Sequence, residues 1–365
     1  MALTELHVSH LRNLSDQKFQ FSPILNLVSG PNGSGKTSLL EAIYFLSAGR
    51  SFRSRKHQHV ITHGEDEMTV FGRVENSRGK QRLGILRNQR RGETLLRKNG
   101  LTVRSMAEFA RELPVSVIEP GTFNLVAGGP GQRRQFLDWL VFHVEHDYGV
   151  LWQKVQKAIT QRNHCLRHGI IQDGQMKVWS EELTRLSHAL TERREHWFRC
   201  FEERLIALLD SADADWAHGL SFDFYCGWDR KRDLSELLVV PTEAEIRAGY
   251  TLYGPNRADI RIRLGQKSAS ETLSRGQQRT LVILMKLAQM GLVHEPGTGD
   301  GICLLDDINA ELDLTNQALL ARELMGLGCQ LFVTSIEPPD SGGLWAGAGA
   351  KTRMFHVEHG EFTER

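Results

Sequence analysis

Residues 30–37 read GPNGSGKT, directly after the apolar run ILNLV (Ile24–Val28) and directly before a stretch, Thr37–Ser47, with apolar residues at helical spacing. This arrangement constrains the fold more than any other feature of the chain. A glycine-rich turn between a buried strand and a helix fits G-x-x-x-x-G-K-[ST] at every fixed position, and that context is what gives the pattern meaning. Gly30, Gly33 and Gly35 let the backbone curl so that its N–H groups face phosphate oxygens, with the positive end of the helix dipole behind them. Lys36 is expected to reach the β- and γ-phosphates, and Thr37 to ligate Mg²⁺. The candidate nucleotide-binding residues are therefore Gly30, Pro31, Asn32, Gly33, Ser34, Gly35, Lys36 and Thr37, with ATP and Mg²⁺ as cofactors. Lys36 is also a candidate catalytic residue.

A second element with charge to place is ICLLDD (302–307), four apolar residues ending in two aspartates. A buried strand ending in Asp306 can hold the Mg²⁺-coordinating carboxylate beside a phosphate loop. Asp307, one residue on, is the candidate general base that polarises the attacking water. Taken in isolation the pair also reads as a strand end capped by solvated carboxylates. The acidic turn Ala310–Asp313 follows at once.

The third element is TLSRGQQRTL (272–281), a small, polar, glycine-containing helix start that begins more than two hundred positions after the phosphate loop. Ser274 can cap the helix by accepting from the amides of its first turn, and Leu281, Leu284 and Leu287 supply an apolar face. The other reading is a second phosphate-reading element.

Between these elements the chain changes character. From Glu67 to Val103 the runs MTVFGRV, QRLGILRN and GETLLRKNG predict an antiparallel meander, and EPGTFNLVAGGPG (119–131) reads as a junction. Tyr148, Trp152, Val155, Ile159 and Leu166, then Trp179, Leu183, Leu186, Leu190, Trp197, Phe201, Leu205 and Leu208, recur at helical spacing on either side of a break at Gly169–Gln175. Two long amphipathic stretches joined by a short polar loop predict an antiparallel hairpin; two ordinary core helices is the other reading. Strand signals return in SFDFYCGW, DIRIRL, ICLLDD and CQLFVTS. The expected organisation is an α/β fold interrupted by a helical arm. The N-terminal part of the globular head is 1–127, the arm 128–215 and the C-terminal part of the head 216–365.

Composition excludes several classes. With 40% hydrophobic and 24% charged residues the chain has the profile of a globular protein with a sizeable core. No apolar stretch approaches the ~20 residues that span a bilayer, and the N-terminus MALTELHVSHLRNL is not a secretory signal. Five scattered cysteines, with no CxxC pair, point to a reducing cytoplasm, with neither a disulfide framework nor a zinc ribbon. FHVEH occurs twice, at 142–146 and 355–359. No third ligand is adjacent to either copy, and the second reads as a strand, on which positions three apart face opposite sides, so no metal site is expected there.

The order GPNGSGKT, LSRGQ (273–277), ICLLDDINAELD (302–313) resembles the ABC-type ATPase head. Transporter cassettes usually keep phosphate loop and signature closer together, and the split head interrupted by helices resembles the SMC-like DNA repair ATPases. Within these the chain is similar to the bacterial RecF family, over nearly its full length: LRNL (11–14), GRSFRSR (49–55), GGPGQRRQFLDW (128–139), YGPNRADI (253–260), TLSRGQQ and LLDDINAELD. The GGPxxRRxFLD stretch makes the resemblance specific.

The resemblance implies an ABC-type P-loop ATPase head of mixed sheets and helices, and an ATP-dependent DNA-binding clamp. Such a clamp acts with RecR and RecO type proteins to load recombinase at single-strand gaps, in the cytoplasm and without a membrane partner. It implies a slow, DNA-stimulated ATPase working as a switch and an ATP-sandwiched homodimer. Ser274, Gly276 and Gln277 would meet the γ-phosphate held by the other subunit's phosphate loop, and Asp313 would line the same interface. Arg12 and Asn13 stand where SMC-like heads approach the base. Three departures are visible: Arg275 in the signature, Asn256 in the YGP-x-R segment, and Ser335 where a transporter head has its switch histidine.

A net charge of +1 means that affinity for DNA must come from local clusters. Arg50, Arg53, Arg55 and Lys56, then Arg87, Arg90, Arg91, Arg97 and Lys98, then Arg133 and Arg134 are candidates, each also readable as a solvated basic face. Aromatic interleaving along the sequence is sparse (Phe52), which favours backbone contact to duplex DNA or a single-strand/duplex junction over a stacking platform. The alternative function is an ABC-type ATPase energising a membrane transporter, which would need a compact helical subdomain and a switch histidine. A nuclease would need a further domain after residue 340.

Overall fold

The computed structural model describes residues 1–54, 59–76, 79–170, 174–212, 214–294, 301–307, 311–337, 343–345 and 351–365. In chain order its elements begin with β1 (Ala2–Leu11), β2 (Leu14–Gln20), β3 (Leu25–Ser29), α1 (Lys36–Ala48), β4 (Glu67–Asn76), β5 (Gly79–Asn88), β6 (Glu93–Lys98), β7 (Leu101–Val103), α2 (Met106–Glu112) and β8 (Val115–Ile118). Next come α3 (Asn124–Ala127), α4 (Pro130–Val144), α5 (Tyr148–His168), α6 (Gln175–Ser211), β9 (Leu220–Tyr225), α7 (Leu234–Val239), α8 (Glu243–Ala248), β10 (Asp259–Leu264), β11 (Lys267–Ser268), α9 (Ala269–Thr272) and α10 (Arg275–Val293). The last are β12 (Ile302–Leu305), α11 (Leu314–Leu327), β13 (Gln330–Ser335), β14 (Thr352–Glu358) and β15 (Glu361–Glu364). The chain divides into two compact units, Met1–Phe123 with His294–Arg365, and Asn124–Val293. Residues 216–293 thus cluster with the two long helices, and 294–365 with the N-terminal third.

The first unit carries two six-stranded sheets. One is ordered β15-β14-β3-β13-β12-β8, with β14, β3, β13, β12 and β8 all parallel and β15 added antiparallel at the edge. Its central strands are buried on both faces; all five residues of LNLVS in β3, polar Asn26 and Ser29 included, and all four of ICLL in β12 are buried, as a parallel sheet covered on both sides demands. The other sheet is antiparallel, ordered β2-β1-β4-β5-β6-β7, and contains the expected meander. Its strands alternate, with Met68, Val70, Val74, Leu83, Ile85 and Leu96 turned toward α1 and buried in one core with Leu39, Leu40, Ile43 and Leu46. A buried glutamine ties the two sheets together: Gln330 Nε2 donates to Leu3 O (2.9 Å) and Ser22 O (2.7 Å), and its Oε1 accepts from Leu3 N (2.8 Å). Such a group, satisfied on both ends, holds the sheets in one register at no desolvation cost.

In the second unit, α5 and α6 pack on each other, and α6 also packs on α4, α7 and α10. At 37 residues, α6 is about 55 Å long. Its buried stripe (Leu183, Leu186, Leu190, Phe198, Phe201, Leu205, Leu209) keeps the helical spacing read from the sequence, but Phe198 and Leu209 are buried where that reading placed Trp197 and Leu208. Trp179, Trp197 and Leu208 are only half-buried. The pair is held by an ion pair with both side chains fully buried. Arg162 of α5 donates to both oxygens of Glu245 in α8 (2.9 and 3.1 Å), to Thr251 Oγ1 (2.9 Å) and to Ser180 Oγ of α6 (3.2 Å). A three-stranded sheet, β11-β10-β9, completes the unit. The five cysteines are free. The first FHVEH copy straddles the end of α4 and the second lies on β14, the expected strand. Among the described residues no cluster of three or more His, Cys, Asp or Glu side chains could hold a metal ion.

Candidate functional site

The phosphate loop runs from the end of β3 into α1, at the C-terminal edge of the parallel sheet, where open α/β sheets bind their ligands. Gly30 is required by a close approach: a Cβ there would lie 2.2 Å from Val357 O of the neighbouring β14. Gly35 caps α1 at φ 124°, a backbone conformation that L side chains rarely adopt. The loop is clamped from behind by Asn13 in the β1–β2 turn. Its Nδ2 donates to Ser34 O (3.0 Å), and its Oδ1 accepts from Ser38 Oγ (2.6 Å). Arg12, beside it at φ 56°, is committed elsewhere, to both carboxylate oxygens of buried Glu41 (2.8 Å each). Both residues thus brace the loop and α1.

Lys36 is buried, its ammonium donating to Gly30 O (2.6 Å) and Pro31 O (3.0 Å). Burial pulls its pKa down, and the negative charges of Asp307 and Asp306 oppose that pull. Thr37 Oγ1 donates to Asp306 Oδ1 at 3.0 Å, which brings the loop and the acidic strand end into one site.

Asp306 follows β12 and is 6% exposed. Its carboxylate accepts from Thr37 and also from Thr334 Oγ1 (3.0 Å) on the neighbouring β13. Burial raises its pKa; the two hydroxyls and the positive Arg53 counter this, and Asp307 adds to it. Asp307 is held at φ 51°, a left-handed conformation that aspartate tolerates better than most residues, and its amide donates to the same Thr334 Oγ1 (2.9 Å). Thr334 therefore orients both aspartates. Parallel pairing of β12 with β8 brings Glu119 to the same sheet edge. Burial raises its pKa and Asp306 raises it further, while the Gly121 amide and Arg53 act against them.

Two features of the site fit a nucleotide and a divalent cation. Ser34 Oγ, deep in the loop, is buried without a hydrogen-bond partner. Thr37 and Asp306 converge as two hard oxygen donors, one of them a buried carboxylate that a cation would keep ionised. Pro31, Asn32 and Gly33 form the exposed tip of the loop, and among the described residues, the two adjacent ones aside, nothing lies within 4 Å of a Cβ built on Gly33.

Asp313, in the same unit, caps α11 through Asn316 N (2.8 Å) and is exposed. Ser274, Gly276 and Gln277 belong to the second unit. They form a capping box: Ser274 Oγ accepts from Gln277 N (3.3 Å), and Gln277 Oε1 accepts from Ser274 N (2.9 Å). Gly276, in the first turn of α10, has nothing among the described residues, its own helix backbone and chain neighbours aside, within 4 Å of a built Cβ. Ser335 closes β13 with its hydroxyl donating to Glu337 O (2.6 Å).

The sequence reading missed Thr334, the clamping role of Asn13 and the position of Glu119. No local pattern marks them: Thr334 and Glu119 are brought to the site by parallel strand register, and Asn13 by a turn of the other sheet. The candidate DNA clusters fare unequally. Arg55 and Lys56 lie outside the described residues. Arg133 is bound to both oxygens of Asp259 (2.8 and 3.1 Å) and to Gly128 O (2.6 Å), and Arg134 to Ala258 O (2.7 Å), so the RR pair braces its own unit. Lys98 pairs with Glu112 (2.7 Å) and Arg90 with Asp66 (2.6 Å).

The sequence matches the family model of the RecF/RecN/SMC N terminal domain over residues 2–359. It is 50% identical over 373 aligned residues to the DNA replication and repair protein RecF of Marinobacter nauticus, with all of both chains covered. It is 43% identical to the RecF protein of Stutzerimonas stutzeri, covering 100% of this chain and 98% of that one. Among solved structures it is similar to RecF–ATP, described as the recombination mediator protein in the RecFOR pathway. That likeness has a TM-score of 0.87 and 23% identity, covering 100% of this chain and 97% of that one. It is also similar to an SMC head domain of Pyrococcus furiosus bound to the C-terminal domain of ScpA, with a TM-score of 0.58 and 14% identity, covering 100% and 96%.

Proposed function

The chain belongs to the RecF family and has its SMC-like, ABC-type ATPase fold, and on that premise we propose that it is an ATP-switched DNA-binding protein of recombinational repair and replication maintenance. The observation that carries this reading is the single cluster made by Lys36, Thr37, Asp306, Asp307 and Thr334 at the edge of the parallel sheet. Thr37 and Asp306 would hold Mg²⁺, which supplies charge neutralisation on the phosphate oxygens. Lys36 exchanges its two loop carbonyls for phosphate oxygens. Asp307, freely turned out of the strand end, accepts the proton of the attacking water as that water's oxygen bonds the γ-phosphorus and the bond to the β-phosphate oxygen breaks. Turnover is slow and DNA-stimulated, and its product is a conformational state.

The second half of the site comes from another copy of the chain. Gly276 supports this. A solvent-facing glycine loses more backbone entropy in a helix than alanine does, and nothing around it among the described residues needs the missing side chain. A phosphate brought by a partner subunit would need it. Ser274, Gly276, Gln277 and Asp313 are thus the partner-facing residues of an ATP-dependent homodimer. Its DNA substrates are duplex and single-strand/duplex junctions, and its protein partners are of the RecR and RecO type. The transporter reading is not favoured: β13 ends in Ser335 where a transporter head has its switch histidine, and the relatives are repair proteins.

The test is sedimentation of the full chain with and without Mg-ATP and gapped duplex DNA. ATP-dependent dimers that bind the DNA support the proposal; a chain that stays monomeric in saturating Mg-ATP and ignores every DNA overturns it.

A further inference from the structure

The antiparallel sheet of the first unit buries one face and leaves the other open. Register places the open face's side chains in transverse rows. Pairing of β2 with β1, β1 with β4, β4 with β5 and β5 with β6 aligns Lys18, His7, Phe71, Gly84 and Arg97 in one row, which crosses five strands over about 19 Å. The adjacent row runs Glu5, Arg73, Arg82, and the row on the other side Thr69, Leu86, Leu95. Arg73 is neutralised by Glu5 (3.1 Å). Arg82 and Arg97 are exposed and make no ion pair or side-chain hydrogen bond among the described residues.

Phe71 stands half-exposed at the centre. Its cross-strand neighbour is Gly84, where even a built Cβ would meet only the edge of the ring, at 3.8 Å. The result is a slot beside an aromatic ring, floored by backbone, lined by Leu86 and Leu95 and flanked by two free guanidiniums. A ring with open space beside it on a sheet face, with one unpaired guanidinium a strand away (Arg82) and another two strands away (Arg97), is the chemistry that takes an unstacked base and its phosphates. A duplex cannot use the ring, because its bases are stacked inside. An acidic polypeptide would satisfy the guanidiniums but would leave the glycine-floored slot without a function.

The geometry points to this face as a single-stranded DNA contact, in which Phe71 stacks one base and Arg82 and Arg97 hold flanking phosphates. It rests on the DNA-binding reading above and deepens it, since a protein acting at gaps meets both strand types.

The experiment measures binding of fluorescein-labelled oligo(dT) and of a blunt duplex to the full chain by anisotropy, across a salt series, with ATP binding as the control for folding. The double variant Arg82→Gln/Arg97→Gln is expected to weaken oligo(dT) binding and to flatten its log K against log salt slope by ~1.4, two phosphates at ~0.7 each, with duplex binding unchanged. Phe71→Ala is expected to lose roughly 5- to 150-fold on oligo(dT), the worth of one stacked base, and Phe71→Trp to retain it. Photocrosslinking of a 5-iodouracil oligonucleotide should label the peptide that contains Phe71. Equal losses on duplex and single strand, or no loss on either, overturn the assignment while the parent reading stands. Unchanged DNA binding with Arg82- and Arg97-dependent binding of polyglutamate overturns it in favour of an acidic polypeptide. A wild-type chain that binds neither DNA overturns the parent reading and this face together.

Discussion

Thr37 Oγ1 donates a 3.0 Å hydrogen bond to Asp306 Oδ1 across 269 positions of sequence. The same carboxylate accepts from Thr334, whose oxygen also receives the Asp307 amide. One threonine thus orients both Asp306, the proposed metal ligand, and Asp307, the proposed general base.

Thr334→Val keeps the shape and removes both bonds. It leaves a buried carboxylate short of a donor and an amide short of an acceptor, which costs about 1–3 kcal/mol. Denaturant titration should register that loss and calorimetry a weaker Mg-ATP affinity, whereas Thr334→Ser restores both. A Thr334→Val chain with unaltered Mg-ATP affinity would remove Thr334 from the site.

Lys36→Ala and Asp307→Asn separate binding from turnover. The first removes the charge that replaces loop carbonyls with phosphate, so fluorescent ATP should not bind and neither dimer nor tight DNA complex should form. The second keeps the binding pocket and loses the proton acceptor, so ATP binds while turnover falls by ~10²–10⁴. Dimers should then accumulate on DNA in sedimentation; a monomeric Asp307→Asn chain in saturating Mg-ATP contradicts the shared-site proposal.

Ser274 caps its own helix through Gln277, and the proposal gives it a second task in a partner's site. Ser274→Arg should leave ATP binding to the monomer intact and stop ATP-dependent dimerisation, read by light scattering. Loss of ATP binding in the monomer would mean that the residue serves its own chain's nucleotide.

Glu245→Gln breaks the fully buried pair with Arg162 and leaves a guanidinium without its counter-charge. The expected loss is about 3–5 kcal/mol, and the double variant Arg162→Met/Glu245→Leu should recover only part of it: the desolvation penalty disappears with both charges, but the Leu252 amide loses its acceptor and α8 its capping box. Thermal unfolding of the three chains checks this ordering.

Burial pushes the Cys329 thiol up to about 12. The ordinary thiol value is ~8.5, so the folded chain holds this proton more tightly than the unfolded one. The stability it contributes is complete below about pH 8.5 and falls as the pH rises toward 12. At pH 8 iodoacetamide should therefore spare Cys329 in the native protein and modify it in denaturant. Rapid native labelling would contradict its burial.

Much of this molecule is legible in the sequence where the signal is contiguous. Gly30, Gly33 and Gly35 with Lys36 and Thr37 announce a phosphate loop because each meets a backbone or charge requirement within eight residues. The stripes of α5 and α6 announce long helices because 3.6-residue spacing is a local property. The strand end at Asp306 is legible for the same reason, and so is the Ser274 cap. What the sequence could not determine is adjacency across strands. Thr334 meets Asp306, Glu119 comes to the edge beside Asp306, and Phe71 lines up with Arg97 only through register, and Asn13 meets Ser34 only because the two sheets pack together. Register is set by which apolar faces bury together over the whole sheet and not by any run of neighbours. For the same reason Arg133 and Arg134, two adjacent cations in the sequence, become internal braces once Asp259 and Ala258 are folded against them. The sequence alone determined which chemistry the chain carries, and the tertiary structure decided which groups share a site, because side-chain proximity across strands is a property of the packed sheet.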